Sequence, residues 1–198
     1  MRPLLRALAV SAALVPGLLG AQPRKEPSPQ PRRSGVHVAV SPRLVSVDDG
    51  DTLTIRWSKG DLETVRILGI DTPETRHLEH DIPFDQPFGP EARAFAAGVF
   101  ANAQSVELLR AKTLDPYGRT LGYVFVNGAN YSLLVIAATL AEESVTRYGD
   151  SGFAKEAAEV QAAAKAAGPL VFEPPGAYRA RMRELSKALK ARGEYPLR

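Results

Sequence analysis

The 198-residue chain has no cysteine. Disulfides and lipid attachment at an N-terminal cysteine are thereby excluded, so an exported domain would be held by its core alone. Histidine is also scarce, at positions 37, 77 and 80 only. A metal bound here would take hard oxygen ligands, which suits Ca²⁺ or Mg²⁺ better than Zn²⁺. Tryptophan occurs once, as Trp57, and is assigned to packing or hairpin cover. The apolar run at the start, Ala7–Leu19, is too short to span a bilayer. Behind Arg2 and Arg6 it reads as a secretory signal peptide, with a cut expected near Gly20-Ala21. The expected location is secreted, periplasmic or cell-envelope, without stable membrane association after cleavage.

Charge is divided unevenly. Residues 22–44 carry five bases and one acid, and residues 173–198 seven bases and three acids, a net +4 in each case. Residues 45–172 carry eleven bases and eighteen acids, a net −7. A negative core argues against a groove that holds nucleic acid by charge alone. It is explicable if part of the acid excess serves a cation that inverts the local potential. The basic flanks can attract phosphates in a salt-dependent way.

These shifts divide the chain into a signal peptide (1–21), a Pro/Arg-rich linker (22–42), a domain (43–172) and a basic tail (173–198). In the linker, Pro23, Pro27, Pro29 and Pro31 alternate with Arg24, Lys25, Arg32 and Arg33, a composition expected to stay extended. Strands are expected over about 38–47, 52–57, 63–70, 106–109 and 121–126, the last ending in the tight-turn pair Asn127-Gly128. Helices are expected over 91–102, opened by Gly89-Pro90, over 133–141, and over 153–167, stopped by Gly168-Pro169. Phe84, Phe88 and Glu91 are expected to anchor the preceding loop. In the tail, a helix is expected over 177–192, with a thin apolar stripe of Met182, Leu185 and Leu189. The pattern is α+β and mainly β, compatible with a five-stranded Greek-key barrel carrying about three helices and an extra C-terminal one.

The chemistry concentrates in Thr64-Val65-Arg66-Ile67-Leu68-Gly69-Ile70-Asp71-Thr72-Pro73-Glu74. Val65 and Ile67 alternate with Arg66, so the guanidinium leaves the opposite face of the strand. Pro73 ends the strand because it has no donor for a ladder. Asp71 and Glu74 therefore sit on a bend at a strand end. Upstream, Asp49 and Asp51 flank Gly50, which permits a bulge or close backbone approach. The turn at 58–61 can bring the two strands together. Downstream, Asp115-Pro116-Tyr117-Gly118 delivers Arg119 to the start of a strand. Two arginines beside an acidic pocket suit a phosphate held between guanidinium forks and a cation.

Asp-Gly-Asp-Thr, Arg-x-x-Gly-Ile-Asp-Thr-Pro-Glu, Phe-Gly-Pro-Glu-Ala and Asp-x-Tyr-Gly-Arg, in this order, resemble the thermonuclease (staphylococcal nuclease) family over about residues 45–172. The resemblance implies a barrel of the oligonucleotide-binding (OB-fold) type. It also implies a monomeric, Ca²⁺-dependent endonuclease that acts on DNA and RNA and leaves 3′-phosphates. Asp51, Asp71 and the main-chain oxygen of Thr72 match the calcium ligands, with Asp49 as support. Glu74 matches the residue that activates or positions the attacking water, and Arg66 and Arg119 match the pair that grips the scissile phosphate. Tyr117 matches a tyrosine that bonds a terminal phosphate, and Tyr148 is the one available base-stacking candidate. Pro116 departs from the family, which often has a lysine there. The competing expectation is a non-catalytic barrel that binds single strands by stacking aromatics and a basic groove.

Overall fold

The computed structural model describes residues 28–196. The stretch read as a signal peptide and the first part of the linker lie outside them. In chain order the elements are β1 (His37–Val40), β2 (Val45–Val47), β3 (Thr52–Ser58), β4 (Asp61–Ile67), β5 (Ile70–Asp71), α1 (Gly89–Ala101), β6 (Val106–Leu114) and β7 (Thr120–Val126). There follow β8 (Ala129–Asn130), α2 (Tyr131–Ala137), β9 (Glu142–Glu143), α3 (Val145–Tyr148), α4 (Ala154–Ala167) and α5 (Pro175–Ala191).

The main sheet runs β1-β6-β7-β4-β3-β2, with β8 added to β7 and a separate pair, β5-β9. Its first and last strands, β1 and β2, are consecutive in the chain and separated only by a 3₁₀ turn at Pro42–Leu44. One bent segment thus pairs with β6 at its start and with β3 at its end, which forces the sheet to curl. This is the mixed, mainly β architecture expected of the barrel. The single strand anticipated over 38–47 is broken because Pro42 cannot donate to a ladder and instead sits at the head of the 3₁₀ turn.

Other boundaries move for local reasons. β6 runs to Leu114 rather than ending near 109, since its pairing with β7 resumes beyond a register shift. Helix α2 ends at Ala137, short of 141. The one-turn helix α3 has no apolar periodicity to reveal it. Asn127 and Gly128 both take positive φ, 51° and 81°, as a two-residue hairpin turn requires. The linker composition also hides order. Gln30 N–H donates to Lys112 O and Gly35 N–H to Arg110 O, so part of the stretch read as extended linker lies along β6 before β1 begins. The core is filled by Leu53, Ile55, Val65, Ile67, Leu108, Tyr123, Val124, Tyr131, Val135 and Val160. It joins the curled sheet to α2 and α4.

One buried ion pair ties the sheet together. Glu63 on β4 and Arg110 on β6 are 5% and 3% exposed. One Glu63 oxygen accepts from Arg110 Nε at 2.7 Å and Thr120 Oγ1 at 2.7 Å. The other accepts from an Arg110 terminal nitrogen at 2.8 Å and Trp57 Nε1 at 2.7 Å. Trp57 therefore covers the hairpin and also serves as a donor, with Arg110 and Arg32 over its ring. Burial pushes the Glu63 carboxyl up, but the Arg110, Thr120 and Trp57 hydrogen bonds outweigh it and hold the group below its ordinary value. Stability from this lowered carboxylate is complete above the unfolded-state value and is lost as pH falls through the folded one. Glu63→Gln leaves a buried guanidinium uncompensated and is expected to cost about 3 kcal/mol. Urea unfolding followed by Trp57 fluorescence measures it, and a loss below about 1 kcal/mol would contradict the pair's structural role.

Candidate active site

The central strand β4 pairs with β3 on one side and, in parallel, with β7 on the other. Val65 and Ile67 fill the core, so Arg66 projects from the opposite face, as the alternation predicts. Beyond β4 the chain turns at Leu68-Gly69 and re-enters as β5, carrying Asp71. Asp51 precedes β3 and is pinned by Ile67 N–H donating to its carbonyl at 2.8 Å. The two acids thereby converge on one guanidinium. Arg66 reaches Asp51 Oδ1 and Asp71 Oδ1 through different terminal nitrogens, each at 2.8 Å.

The second Asp51 oxygen accepts from Thr72 N–H at 2.8 Å and Thr72 Oγ1 at 3.0 Å. Asp49 accepts from Asp51 N–H at 2.9 Å, which shapes the turn beneath the site. Two glycines make this proximity possible. A Cβ at Gly50 would stand 2.7 Å from Thr72 Oγ1, and one at Gly89 would stand 2.2 Å from the Glu74 carbonyl oxygen. The bend at Glu74 therefore depends on close approach by the start of α1. Gln86 completes it, accepting from Glu74 N–H at 3.0 Å and donating to the Glu173 carbonyl. Gly89→Ala is expected to lower the thermal midpoint by several degrees and to reduce any activity that depends on Glu74. A variant that melts within about one degree of the parent would show that the bend tolerates the methyl.

The electrostatics are those of crowded, buried acids. Burial pushes the Asp51 carboxyl up to about 7, with Arg66 opposing and Asp49 and Asp71 adding to the rise. Burial likewise raises Asp49 and Glu74, against the opposing pull of Arg179 on Glu74. Arg66 also loses solvation, but Asp51 and Asp71 more than restore its charge. Among the described residues, no three carboxylate or imidazole side chains form a metal cage by themselves. The donor set at Asp51, Asp71 and Thr72 is nevertheless all hard oxygen, the kind of ligand that a calcium-type cation takes, although Arg66 and Arg179 now balance the two carboxylates.

Arg119 is placed differently. Its Nε donates to Asp115 Oδ2 at 2.6 Å, while Asp115 Oδ1 accepts from the backbone N–H groups of Tyr117 and Arg119. Asp115 is thus a turn residue that also aims the guanidinium. Arg119 lies over the Tyr117 ring and makes no hydrogen bond or ion pair with Asp51, Asp71 or Glu74. His80 is its neighbour, held below its ordinary value by burial, His77 and Arg119. Tyr117 and Tyr148 are 84% and 65% exposed, one on the Arg119 turn and the other at the end of α3. Neither makes a hydrogen bond with Asp51, Asp71 or Glu74.

The place beside the acids belongs to Arg179 on α5. It donates to both oxygens of Asp71, at 3.0 and 2.7 Å, and pairs with Glu74 Oε1. The sequence reading missed it because the tail is generally basic and one more arginine carries no motif. The available signal was the helical face itself, with Tyr178, Met182 and Ser186 four residues apart and Arg179 beside it. The anticipated stripe of Met182, Leu185 and Leu189 holds at Met182 and Leu185, which pack in the Ile82 cluster, and is extended by Tyr178 and Ser186. Tyr178 and Met182 pack on Ile82, and Tyr178 Oη donates to the Phe84 carbonyl at 3.0 Å. The loop before α1 is anchored by buried Ile82 and Gln86, whereas Phe84, Phe88 and Glu91 stay exposed.

With this geometry in view, comparison with known proteins gives a consistent answer. Similar curated proteins include the thermonuclease of Staphylococcus intermedius, 33% identical over 117 residues that cover 59% of this chain and 64% of that protein. The thermonuclease of Staphylococcus hyicus is 39% identical over 85 residues, 42% of this chain and 47% of the relative. The SPbeta prophage-derived endonuclease YokF of Bacillus subtilis is 34% identical over 100 residues, 50% of this chain and 31% of the relative. The chain thus spans from about a third to just under two thirds of these relatives' lengths. The model of the family described as "Staphylococcal nuclease homologue" matches residues 64–169, more than half of the chain, and includes the second half of β4 with Arg66, Asp71, Glu74 and Arg119. The chain belongs to the staphylococcal nuclease homologue family.

Proposed function

We propose that this protein is a secreted or envelope-located endonuclease that hydrolyses phosphodiester bonds of DNA and RNA with Ca²⁺ and leaves 3′-phosphate ends. The observation that supports it most is the convergence of Asp51, Asp71 and Arg66 at the end of β4, with Glu74 three residues beyond Asp71. Family membership supports the nuclease class, and the leading apolar run supports export.

A phosphodiester must have its charge neutralised, a water aimed at phosphorus and the leaving oxygen stabilised. Asp51, Asp71 and the Thr72 main-chain oxygen would hold the cation, whose contribution when bound is charge neutralisation at the phosphate. Asp49 supports Asp51 from below. Glu74, raised by burial, is suited to accept a proton from water or to hold that water in line. Arg66 and Arg119 would face the phosphate from two sides, Arg66 from the sheet and Arg119 from its Asp115-braced turn. Tyr117 would bond a terminal phosphate and Tyr148 would stack on a base. With Pro116 in place of a lysine, the terminal phosphate has one fewer cation to grip.

The exposure of Tyr117 and Tyr148 also suits a single-strand-binding module, which would need no cation. Incubating the purified protein with DNA and RNA oligonucleotides in Ca²⁺, then in excess chelator, separates the two. The expected result is cleavage that stops in chelator and leaves 3′-phosphates. Retention of intact oligonucleotide with or without Ca²⁺ would establish the binding module instead.

A further inference from the structure

We propose that Arg179, carried by the C-terminal helix α5, is a latch that competes with the divalent cation for the carboxylates of the active site. The inference rests on the calcium reading above and concerns a helix that begins after the matched family region, which ends at residue 169.

An ionised carboxylate offers about four lone-pair positions. Asp51 has all of them engaged, by Arg66, Thr52 Oγ1, Thr72 N–H and Thr72 Oγ1. Asp71 has three engaged, one by Arg66 and two by Arg179. The two carboxylates together therefore have about one position left for a cation. Some donor must withdraw before a hard cation can use both acids. Arg66 is the less movable one, since it lies within the central strand between β3 and β7 and its neighbours are core. Arg179 reaches the site from outside the barrel. Its helix is held to the loop before α1 by the small Ile82–Tyr178–Met182 cluster and by hydrogen bonds from Tyr178 and Ser186 to the carbonyls of Phe84 and Asp81, and Tyr195 beyond the helix end bonds the Leu78 carbonyl. Its contact with Glu74 also occupies the carboxylate proposed to handle the water. One side chain thus covers a metal ligand and the water-handling acid together. Release of Arg179 frees both.

The decisive measurement is calorimetric titration of Ca²⁺ into the purified protein and its variants without nucleic acid, so that no cleavage is needed for a readout. Arg179→Gln is expected to tighten Ca²⁺ binding by at least about tenfold, the effect of removing a charge-assisted competitor. Arg179→Lys keeps the charge but loses the fork and is expected to tighten binding by an intermediate amount. Arg181→Gln removes an equal charge from the same helix, but its partner is Glu173 at the surface, so its affinity is expected to stay within about twofold of the parent. Equal or weaker affinity in Arg179→Gln overturns the latch and leaves the calcium reading standing. An unchanged affinity accompanied by a higher KM for oligonucleotide would make Arg179 a substrate-gripping residue and also overturn the latch. Tightening of similar size in Arg181→Gln would reduce the effect to bulk charge and overturn it as well. Absence of Ca²⁺ binding by every form overturns the latch together with the calcium reading.

Discussion

Replacing Arg66 with lysine is expected to lower kcat/KM by at least about a hundredfold, the usual scale for losing one preorganised donor in a charge-stabilising site. Arg66 sits with separate terminal nitrogens on Asp51 and Asp71 at equal distances, so its plane is fixed by two acids from different elements. A phosphate entering the site meets a guanidinium already oriented. Lysine retains the charge but presents one nitrogen, which cannot satisfy both carboxylates and a phosphate in a single plane. The loss should fall mainly on kcat, since the residue leads directly into the Asp71 turn. Arg119→Lys is expected to lose as much, with KM also rising, because that guanidinium is braced by Asp115 and the Tyr117 ring and approaches from a turn. Circular dichroism and thermal melting must first show both variants folded. A folded Arg66→Lys protein within about threefold of the parent would show that charge alone suffices.

Asp51→Asn should separate activity from stability. Cleavage is expected to fall at least about a hundredfold, while the thermal midpoint in chelator at pH 8 stays equal or rises. The carboxyl is buried and held at about 7, chiefly by burial and by crowding from Asp49 and Asp71. A carboxyl raised in the folded state binds its proton more tightly there than in the unfolded chain. Its stability contribution is therefore present at pH below the unfolded-state value and is lost as pH rises through about 7. An amide keeps the shape and removes that penalty, at the smaller cost of turning one acceptor that faces Arg66 or Thr72 into a donor. The parent should accordingly lose stability between pH 5 and pH 8 in chelator, while the variant should lose less. The Glu63 contribution runs the other way and weakens only at lower pH. Melting curves across this range decide the matter, and a variant markedly less stable than the parent at pH 8 would mean that the carboxylate is a net structural asset.

Much of this site was readable from residue order because local rules and tertiary structure agree there. Alternation of Val65, Arg66 and Ile67 sets the face of the guanidinium, Pro73 sets the strand end, and Gly50 sets the approach of the Asp49–Asp51 turn to Thr72. The five-strand pattern was also legible, including the Asn127-Gly128 hairpin. The closure of the sheet was less so, since it depends on a strand broken at Pro42 whose halves pair with β6 and β3 far along the chain. Composition misled where it stood for structure. Proline and arginine near residue 30 read as a solvated linker, although hydrogen bonds from Gln30 and Gly35 attach that stretch to β6. In the tail, an amphipathic helix was evident but its docking site was not. No periodicity in α5 encodes that Tyr178 finds Ile82 or that Arg179 reaches Asp71 and Glu74. That placement is a long-range contact across more than a hundred residues.

On the proposed reading, these acids and arginines form one site completed jointly by a divalent cation and a phosphate. Asp51, Asp71 and the Thr72 carbonyl are too few for Ca²⁺, which takes about six to eight oxygens, so substrate oxygens and water must supply the rest. Binding of the two ligands is then thermodynamically linked. Calorimetric titration of Ca²⁺ with and without a non-cleavable phosphorothioate oligonucleotide tests this directly. Weak binding is expected alone, and binding at least about tenfold tighter with oligonucleotide present, a coupling of about 1.4 kcal/mol or more. Equal Ca²⁺ affinity in the two titrations would contradict it.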